Sequence, residues 1–497
     1  MATLQDIVTS GTTLSRSQLR ADKSLVTEIQ IKLRNLGLYP GGQWIDGDIG
    51  LDGADTFTWK GLKEFCQAVS LAGFPTTATA INANVAQQLL NVKQLTFVFD
   101  QAKNVNFILN KLTTIQENST VAVNIGVTEA FVARTTRNSP FAAEFDNYPQ
   151  YLAQKPDGVS VISYGNSITL AGSGTTVNFT DYPNRGSLPS PAIDNTGLNF
   201  LPSSISHACL CVGSFVDGSS LLKTHWLGKD ALNPEQLLSA TKFIGVLNTV
   251  SQINSKFPTV DIDNCVIESP RSKFFDLIVD MVSYRKDASG AGGRSNQIGV
   301  LFKRFTKRQD LEAWLKAQTG NTACQFTGGY GSDPLIANPI IKDLNSSATV
   351  LTASPIIGVT GNNDVSTYDL VRLISMLGWH LHLTPATRFV GSQWASLECV
   401  IRAMATDAAR YVDVALETLG LINVISEPVV ISKVGFGPSS FTYVAFVKLI
   451  DRRFTPGKLR TFALALRCPN GSNEQRDTQI AASVTEIVRR ILTEELA

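Results

Sequence analysis

Residues 233–250 read NPEQLLSATKFIGVLNTV, with apolar side chains on nearly every side. The spacing predicts a buried helix. Ser239 and Lys242 stand one turn apart on it, and Lys242 falls among Phe243, Val246 and Val250. A lysine in that company either snorkels to an edge or is kept for its amine. A serine hydroxyl is a poor nucleophile until a neighbouring base takes its proton. Residues three apart share a helix face, which brings the Lys242 amine within reach of the Ser239 hydroxyl. Apolar burial, or a second cation nearby, would push that amine toward its free-base form.

The elements on either side of this stretch suggest a domain spanning 205–497. Before it, HACLCVGSFVDGSSLLKTHWLG (207–228) alternates like two strands around Asp217-Gly218. After a mostly helical middle, STYDLVRLISMLGW (366–379) opens with a capping box from Ser366 to Asp369 and aligns Leu370, Leu373, Ile374 and Leu377. The stretch 392–420 reads as one long helix ending at Gly420. EPVVISKVGFG, FTYVAFVKLIDR and KLRTFALALR then read as three strands in succession. A last helix, 473–495, aligns Ile480, Val484, Ile487 and Ile491. Two early strands, a helical insertion, three late strands and a terminal helix predict an antiparallel sheet flanked by helices, an α+β arrangement.

Toward the N-terminus, 1–20 reads as an extension and 21–92 as a small all-α domain. Its first helix carries Leu25, Ile29, Leu33 and Leu36 on one face and stops at Gly37 and Pro40-Gly41-Gly42. Residues 93–204 are β-rich, with no chemistry to assign. The chain is thus multidomain, as 497 residues lead one to expect.

Composition excludes several functions. With 43 basic against 42 acidic residues the net charge is +1, so no electrostatic footprint for nucleic acid is present. No run of apolar residues is long enough to span a membrane. The N-terminal residues lack the apolar segment with basic flanks of a secretory signal, a cytoplasmic reading unless export takes another route. Seven scattered cysteines read as buried thiols. Four histidines, of which only His380 and His382 are near one another, give no zinc pattern, and no metal or cofactor is expected. Glu398, Asp407 and Asp413 read as solvated helix faces.

Two family resemblances follow from these residues. The Leu-Gly-Leu-Tyr-Pro-Gly helix end, Asp46-Gly47 with Gly50, and the helix closing at Glu64-Phe65 resemble the peptidoglycan-binding domain of cell-wall hydrolases. This copy has extra residues between Gly50 and Thr58. Over 205–497, a Ser-x-x-Lys on a central helix, a serine at a glycine-rich bend (GGRSNQIG) and Lys-x-Gly on a late strand resemble, in that order, the signature of the penicillin-recognising serine enzymes, with class A β-lactamases nearest. A second Ser-x-x-Lys, Ser220 to Lys223, falls on a predicted strand, where the two side chains face opposite ways.

The second resemblance implies Ser239 as the acylated nucleophile, Lys242 as its base and Ser295 as proton relay. It also implies Lys433 as the group that holds a substrate carboxylate and polarises Ser295. Asn296 and Gln297 would contact substrate, and the strand just beyond Gly435, with the Ser239 N–H, would form an oxyanion hole. The partner implied is peptidoglycan or its peptide stems; oligomeric state is left open.

Three departures count against a turnover β-lactamase. Ser295-Asn296-Gln297 replaces Ser-x-Asn, Val434 stands where a hydroxyl is usual, and no Glu-x-x-Leu-Asn loop lies between 300 and 365. The readings are therefore a serine hydrolase of the β-lactamase/DD-peptidase type, an inert protein of that fold serving as a wall-binding or structural component, or a glutaminase-like amidohydrolase.

Overall fold

The structure, a computed structural model, describes residues 2–35, 45–51, 56–68, 80–91, 139–171, 173–216, 222–268, 271–284, 293–354 and 361–497. It divides into two compact units. The first is built on the N-terminal residues with Val414–Asn423 and Val484–Arg489, and the second on the remainder.

In the first unit the helices Leu4–Ser10, Arg16–Ala21, Lys23–Asn35, Phe57–Ala68 and Ala83–Asn91 bury Leu25, Ile29, Leu33, Leu62 and Phe65. Leu36, Gly37 and Pro40-Gly41-Gly42 lie outside the described residues. Residues 1–20 are a working part of this unit, not an extension. Thr3 and Ser15 each close a capping box, Leu4, Ile7 and Leu19 are buried, and Leu14–Ser15 pairs with Ala80–Ile81. The Asp46–Gly50 turn is tied down by the buried Gln30 amide. It donates to Asp46 Oδ1 at 3.0 Å and accepts from the Gly47 N–H at 2.9 Å.

The second unit is organised on a seven-stranded sheet. Its strands are β1 (Val161–Ile162), β2 (Thr180–Asp181), β3 (His207–Phe215), β4 (Leu222–Lys229), β5 (Ile425–Phe436), β6 (Phe441–Asp451) and β7 (Gly457–Cys468). The order is β5-β6-β7-β3-β4-β2, antiparallel throughout, with β1 parallel beside the start of β7. Every residue of β6 is buried, so both faces of the sheet centre are covered. The capped helix Thr367–Gly378 crosses β3, β6 and β7 and is buried over its whole length.

Three expectations are corrected here. The 93–204 segment does not stand apart: its described part supplies β1 and β2 to the main sheet, and its Tyr148 and Leu152 join the same core. AVNIGVTEAFVARTT (122–136) lies outside the described residues.

The second correction concerns 233–250, which is not one helix. Glu235–Gln236 pairs as a strand with Asp364 and Val365, Leu238–Thr241 is a 3₁₀ turn entered through Leu238 at φ +54°, and the α-helix runs Lys242–Lys256. Strand pairing takes up the backbone groups at 235–236 that a helix would otherwise satisfy.

Third, the long helix over 392–420 is two, Trp394–Met404 and Tyr411–Thr418. Between them the Arg410 guanidinium donates to the Ala405 carbonyl at 2.7 Å, and the Ser432 hydroxyl donates to Asp407 Oδ2 at 2.7 Å. These are buried polar contacts that an unbroken helix would not offer. The middle section also adds strands, among them Cys265–Ile267 paired with Ile340–Asp343.

All seven cysteines are buried and unbridged. His380 lies within 6.4 Å, ring to ring, of Phe389 and Trp394, and His382 bonds the Leu152 carbonyl at 2.7 Å. Burial pushes each imidazole down from 6.5 to about 4. A depressed histidine pKa means the unfolded chain binds more protons between those values, so stability is full above pH 6.5 and drains away as pH falls toward 4. The expected loss between pH 7 and 5 is roughly 2 kcal/mol per group. Urea midpoints at the two pH values will read it, and His380→Phe should remove its share.

Candidate active site

Lys242 begins its helix at the floor of the second unit, 1% exposed. Its Nζ donates to Ser295 Oγ at 2.9 Å and to Asn296 Oδ1 at 2.7 Å. Both acceptors come from the first turn of the helix Gly293–Phe302. Ser295 is fully buried and donates its own hydroxyl hydrogen to the Met281 carbonyl at 2.7 Å. Gln297, one position on, is rotated about 100° around that helix away from the Lys242 contact. Its carbonyl accepts from the Leu335 N–H at 3.0 Å.

Ser239 sits half-buried on the 3₁₀ turn, directly after Leu238 in its left-handed conformation. Positive φ at a leucine is strain of the kind that holds a side chain in a set direction. The turn lies against β5, the edge strand of the sheet. A Cβ at Gly435 would stand 2.4 Å from the Leu237 carbonyl, 2.6 Å from the Ala240 N and 3.1 Å from the Ser239 N. Only glycine lets the two backbones meet, and their meeting sets the Ser239 N–H beside a strand edge. An edge strand leaves alternate N–H groups unpaired by the sheet. That is the raw material of an oxyanion hole.

Lys433, two residues before Gly435, is fully buried. Its Nζ donates to the Tyr284 hydroxyl at 2.9 Å and to the Val434 carbonyl at 2.8 Å. The Tyr284 ring lies 4.5 Å from Lys433 Nζ and 6.0 Å from Lys242 Nζ, so one phenol stands between the two amines. On its other side Lys242 faces the Tyr330 ring at 5.4 Å, and the buried Lys303 faces the same ring at 5.1 Å. The Tyr330 hydroxyl reaches Thr241 Oγ1 at 2.9 Å. Burial pushes Lys303 well below the usual lysine range, with Arg308 adding to it.

Of the residues singled out in the sequence, Lys242, Ser295 and Asn296 are joined directly. Ser239 and Gly435 are brought together by the turn and strand, and Lys433 connects to the rest through Tyr284. Val434 is buried and Gln297 makes no contact with Lys242 among those described above. Lys223 of the decoy pair bonds Asn166 at 2.9 Å; Ser220 lies outside the described residues.

Two side chains beside the candidate site escaped sequence reading. Tyr284 closes a helix in a left-handed conformation (φ +56°) and carries no motif. Asp407 is not on a solvated face: it is buried beneath β5, holds Ser432, and burial pushes its carboxyl up against the opposing pull of Lys433. Asp413 is buried too, 3.9 Å from Arg410.

No family model matches the sequence, and no curated protein matches it. Among solved structures, the chain is similar to a class A β-lactamase of the last common ancestor of Gram-negative bacteria. The identity is 12% over 57% of this chain and 94% of that one, with a TM-score of 0.36. It is also similar to a class A β-lactamase from Bacteroides cellulosilyticus (13% identity, 59% and 94% covered, TM-score 0.37). A third is a β-lactamase from Sphaerobacter thermophilus (10%, 60% and 98%, TM-score 0.36). What the site does is argued below from its own geometry.

Proposed function

We propose that the second unit is a serine acyl-transfer enzyme that works through an acyl-Ser239 intermediate. One observation carries this reading. The buried Lys242 amine, three residues after Ser239 and its strained 3₁₀ turn, donates to Ser295 Oγ and Asn296 Oδ1. In its free-base form that amine would supply the lone pair a general base requires.

In the first step Ser239 Oγ forms a bond to the substrate acyl carbon and its proton passes to Lys242. The bond from that carbon to the leaving oxygen, nitrogen or sulfur breaks. The leaving atom takes a proton from Tyr284, whose phenol is the hydroxyl tied to Lys433. The resemblance gives this relay to Ser295, whose hydroxyl hydrogen goes instead to the Met281 carbonyl. In the second step water gives a proton back to Tyr284, its oxygen takes the acyl group, and Lys242 returns the proton to Ser239. The Ser239 N–H and the β5 edge would hold the developing oxyanion.

The test is covalent. An uncharged alkyl fluorophosphonate should label the intact chain on the peptide that holds Ser239, and labelling should vanish in Ser239→Ala. No adduct on the wild-type chain, or equal labelling of the variant, would sink the assignment.

The N-terminal resemblance adds a docking role on peptidoglycan, which pull-down of the full chain with and without Asp46→Ala would probe. A second reading, an inert binding component, is favoured by one specific feature: Lys433 is folded back onto the Val434 carbonyl. That reading, unlike the first, expects no adduct.

A further inference from the structure

The backbone carbonyls of Phe326, Thr327, Gly328 and Gly329, in succession, each accept a hydrogen bond from a side chain elsewhere in the second unit. Lys303 Nζ donates to Phe326 at 3.4 Å and to Gly328 at 3.0 Å, and Arg308 donates to Thr327 at 2.6 Å. The Asn363 amide donates to Gly329 at 2.7 Å, and its own Oδ1 accepts from Lys303 at 2.6 Å. Gly328 has no room for a side chain, since a Cβ there would lie 2.8 Å from the Gly361 carbonyl. The course of this segment is therefore set from outside it, with the buried Lys303 and Asn363 at the centre.

Tyr330 leaves the segment with its ring 5.4 Å from Lys242 Nζ and its hydroxyl 2.9 Å from Thr241 Oγ1. The Thr241 hydroxyl has one hydrogen, which goes to the Leu238 carbonyl at 2.8 Å. Tyr330 is thus the donor to Thr241. The Leu238 carbonyl shares one rigid peptide plane with the Ser239 N–H, and in a trans peptide the two point opposite ways. Whatever holds that carbonyl aims the N–H. Leu238 is held at φ +54°, and a rotation that relieves this strain swings its carbonyl away. The Thr241 hydroxyl opposes that rotation.

We infer that Lys303, Tyr330 and Thr241 are positioning residues that together aim the Ser239 N–H at the oxyanion. Lys303 pins the segment, Tyr330 carries its placement to Thr241, and Thr241 clamps the peptide between Leu238 and Ser239. They act through that peptide and not on the reacting atoms. The inference rests on the acyl-serine reading above and adds to it the residues that hold its oxyanion donor.

The experiment times labelling of the full chain by the uncharged fluorophosphonate, whose phosphoryl oxygen takes the oxyanion position. Tyr330→Phe keeps the ring over Lys242 and removes only the hydroxyl. Its labelling rate should fall by about tenfold, short of the hundredfold cost of removing such a donor outright, in a protein that still unfolds cooperatively in urea. Thr241→Val, of the same shape, should lose as much or more, and Thr241→Ser should return to within about threefold of wild type. Because the two hydroxyls act in one chain, the double variant Tyr330→Phe/Thr241→Val should be no slower than Thr241→Val alone. Lys303→Met should match the Tyr330→Phe loss; if it fails to fold, the hydroxyl variants decide by themselves.

Tyr330→Phe labelled at the wild-type rate overturns the inference, as do losses that multiply in the double variant or a Thr241→Ser no faster than Thr241→Val. Each of these leaves the acyl-serine reading standing. A wild-type chain that takes no label refutes that reading, and this inference with it.

Discussion

Gly435→Ala is expected to abolish labelling of Ser239 and to lower the stability of the second unit by about 3 kcal/mol. The added Cβ would lie 2.4 Å from the Leu237 carbonyl and 2.6 Å from the Ala240 N, both backbone atoms that no rotamer change can move aside. Either β5 withdraws or the 3₁₀ turn does. Each escape separates the strand edge from the Ser239 N–H and removes the donor pair for the oxyanion. Loss of one such donor alone costs about a hundredfold or more in rate. The check is paired: urea unfolding for stability and fluorophosphonate labelling in the absence of denaturant for the site. A Gly435→Ala protein that is as stable as wild type and labels at the same rate would show that strand and turn do not meet as described.

Lys242→Met should separate chemistry from folding. Methionine keeps the length and apolar bulk of the lysine stem, so packing against the Tyr330 and Tyr284 rings is largely preserved. Ser295 still has the Met281 carbonyl as partner, and Asn296 is only half-buried and can turn to water. Stability should therefore change by no more than about 2 kcal/mol. Acylation loses its base, and the expected fall in labelling rate is on the order of a thousandfold. A rate within a few-fold of wild type in a folded Lys242→Met protein would remove Lys242 from the mechanism and leave its burial as a packing feature.

The parts of this molecule that were legible in its sequence are those governed by near neighbours. The Ser366–Asp369 capping box lies within one turn, and the helix it opens runs where the apolar spacing puts it. The three late strands pair as a meander because short turns join them. The capping boxes at Thr3 and Ser15 are equally local, as TLQD and SRSQ, and mark 1–20 as helical, not as an extension.

Where the reading failed, a distant partner outbid the local preference. Residues 235–236 are taken by Asp364 and Val365, more than a hundred positions on, and the expected helix gives way there to a strand and a 3₁₀ turn. The helix at 392–420 breaks because Asp407 is drawn under β5 by Ser432.

By itself the sequence determined which residue types were at hand and the local elements that carry them: Ser239 one turn from Lys242, Ser295 at a helix start, Lys433 on a late strand. The tertiary structure alone decided their partners. Ser295 lies 53 positions from Lys242 and Tyr284 lies 149 from Lys433, separations across which periodicity and propensity carry no information. Those pairings were settled by where the sheet edge, the turn and two helix ends come to rest against one core, a matter of packing that no short window of residues encodes.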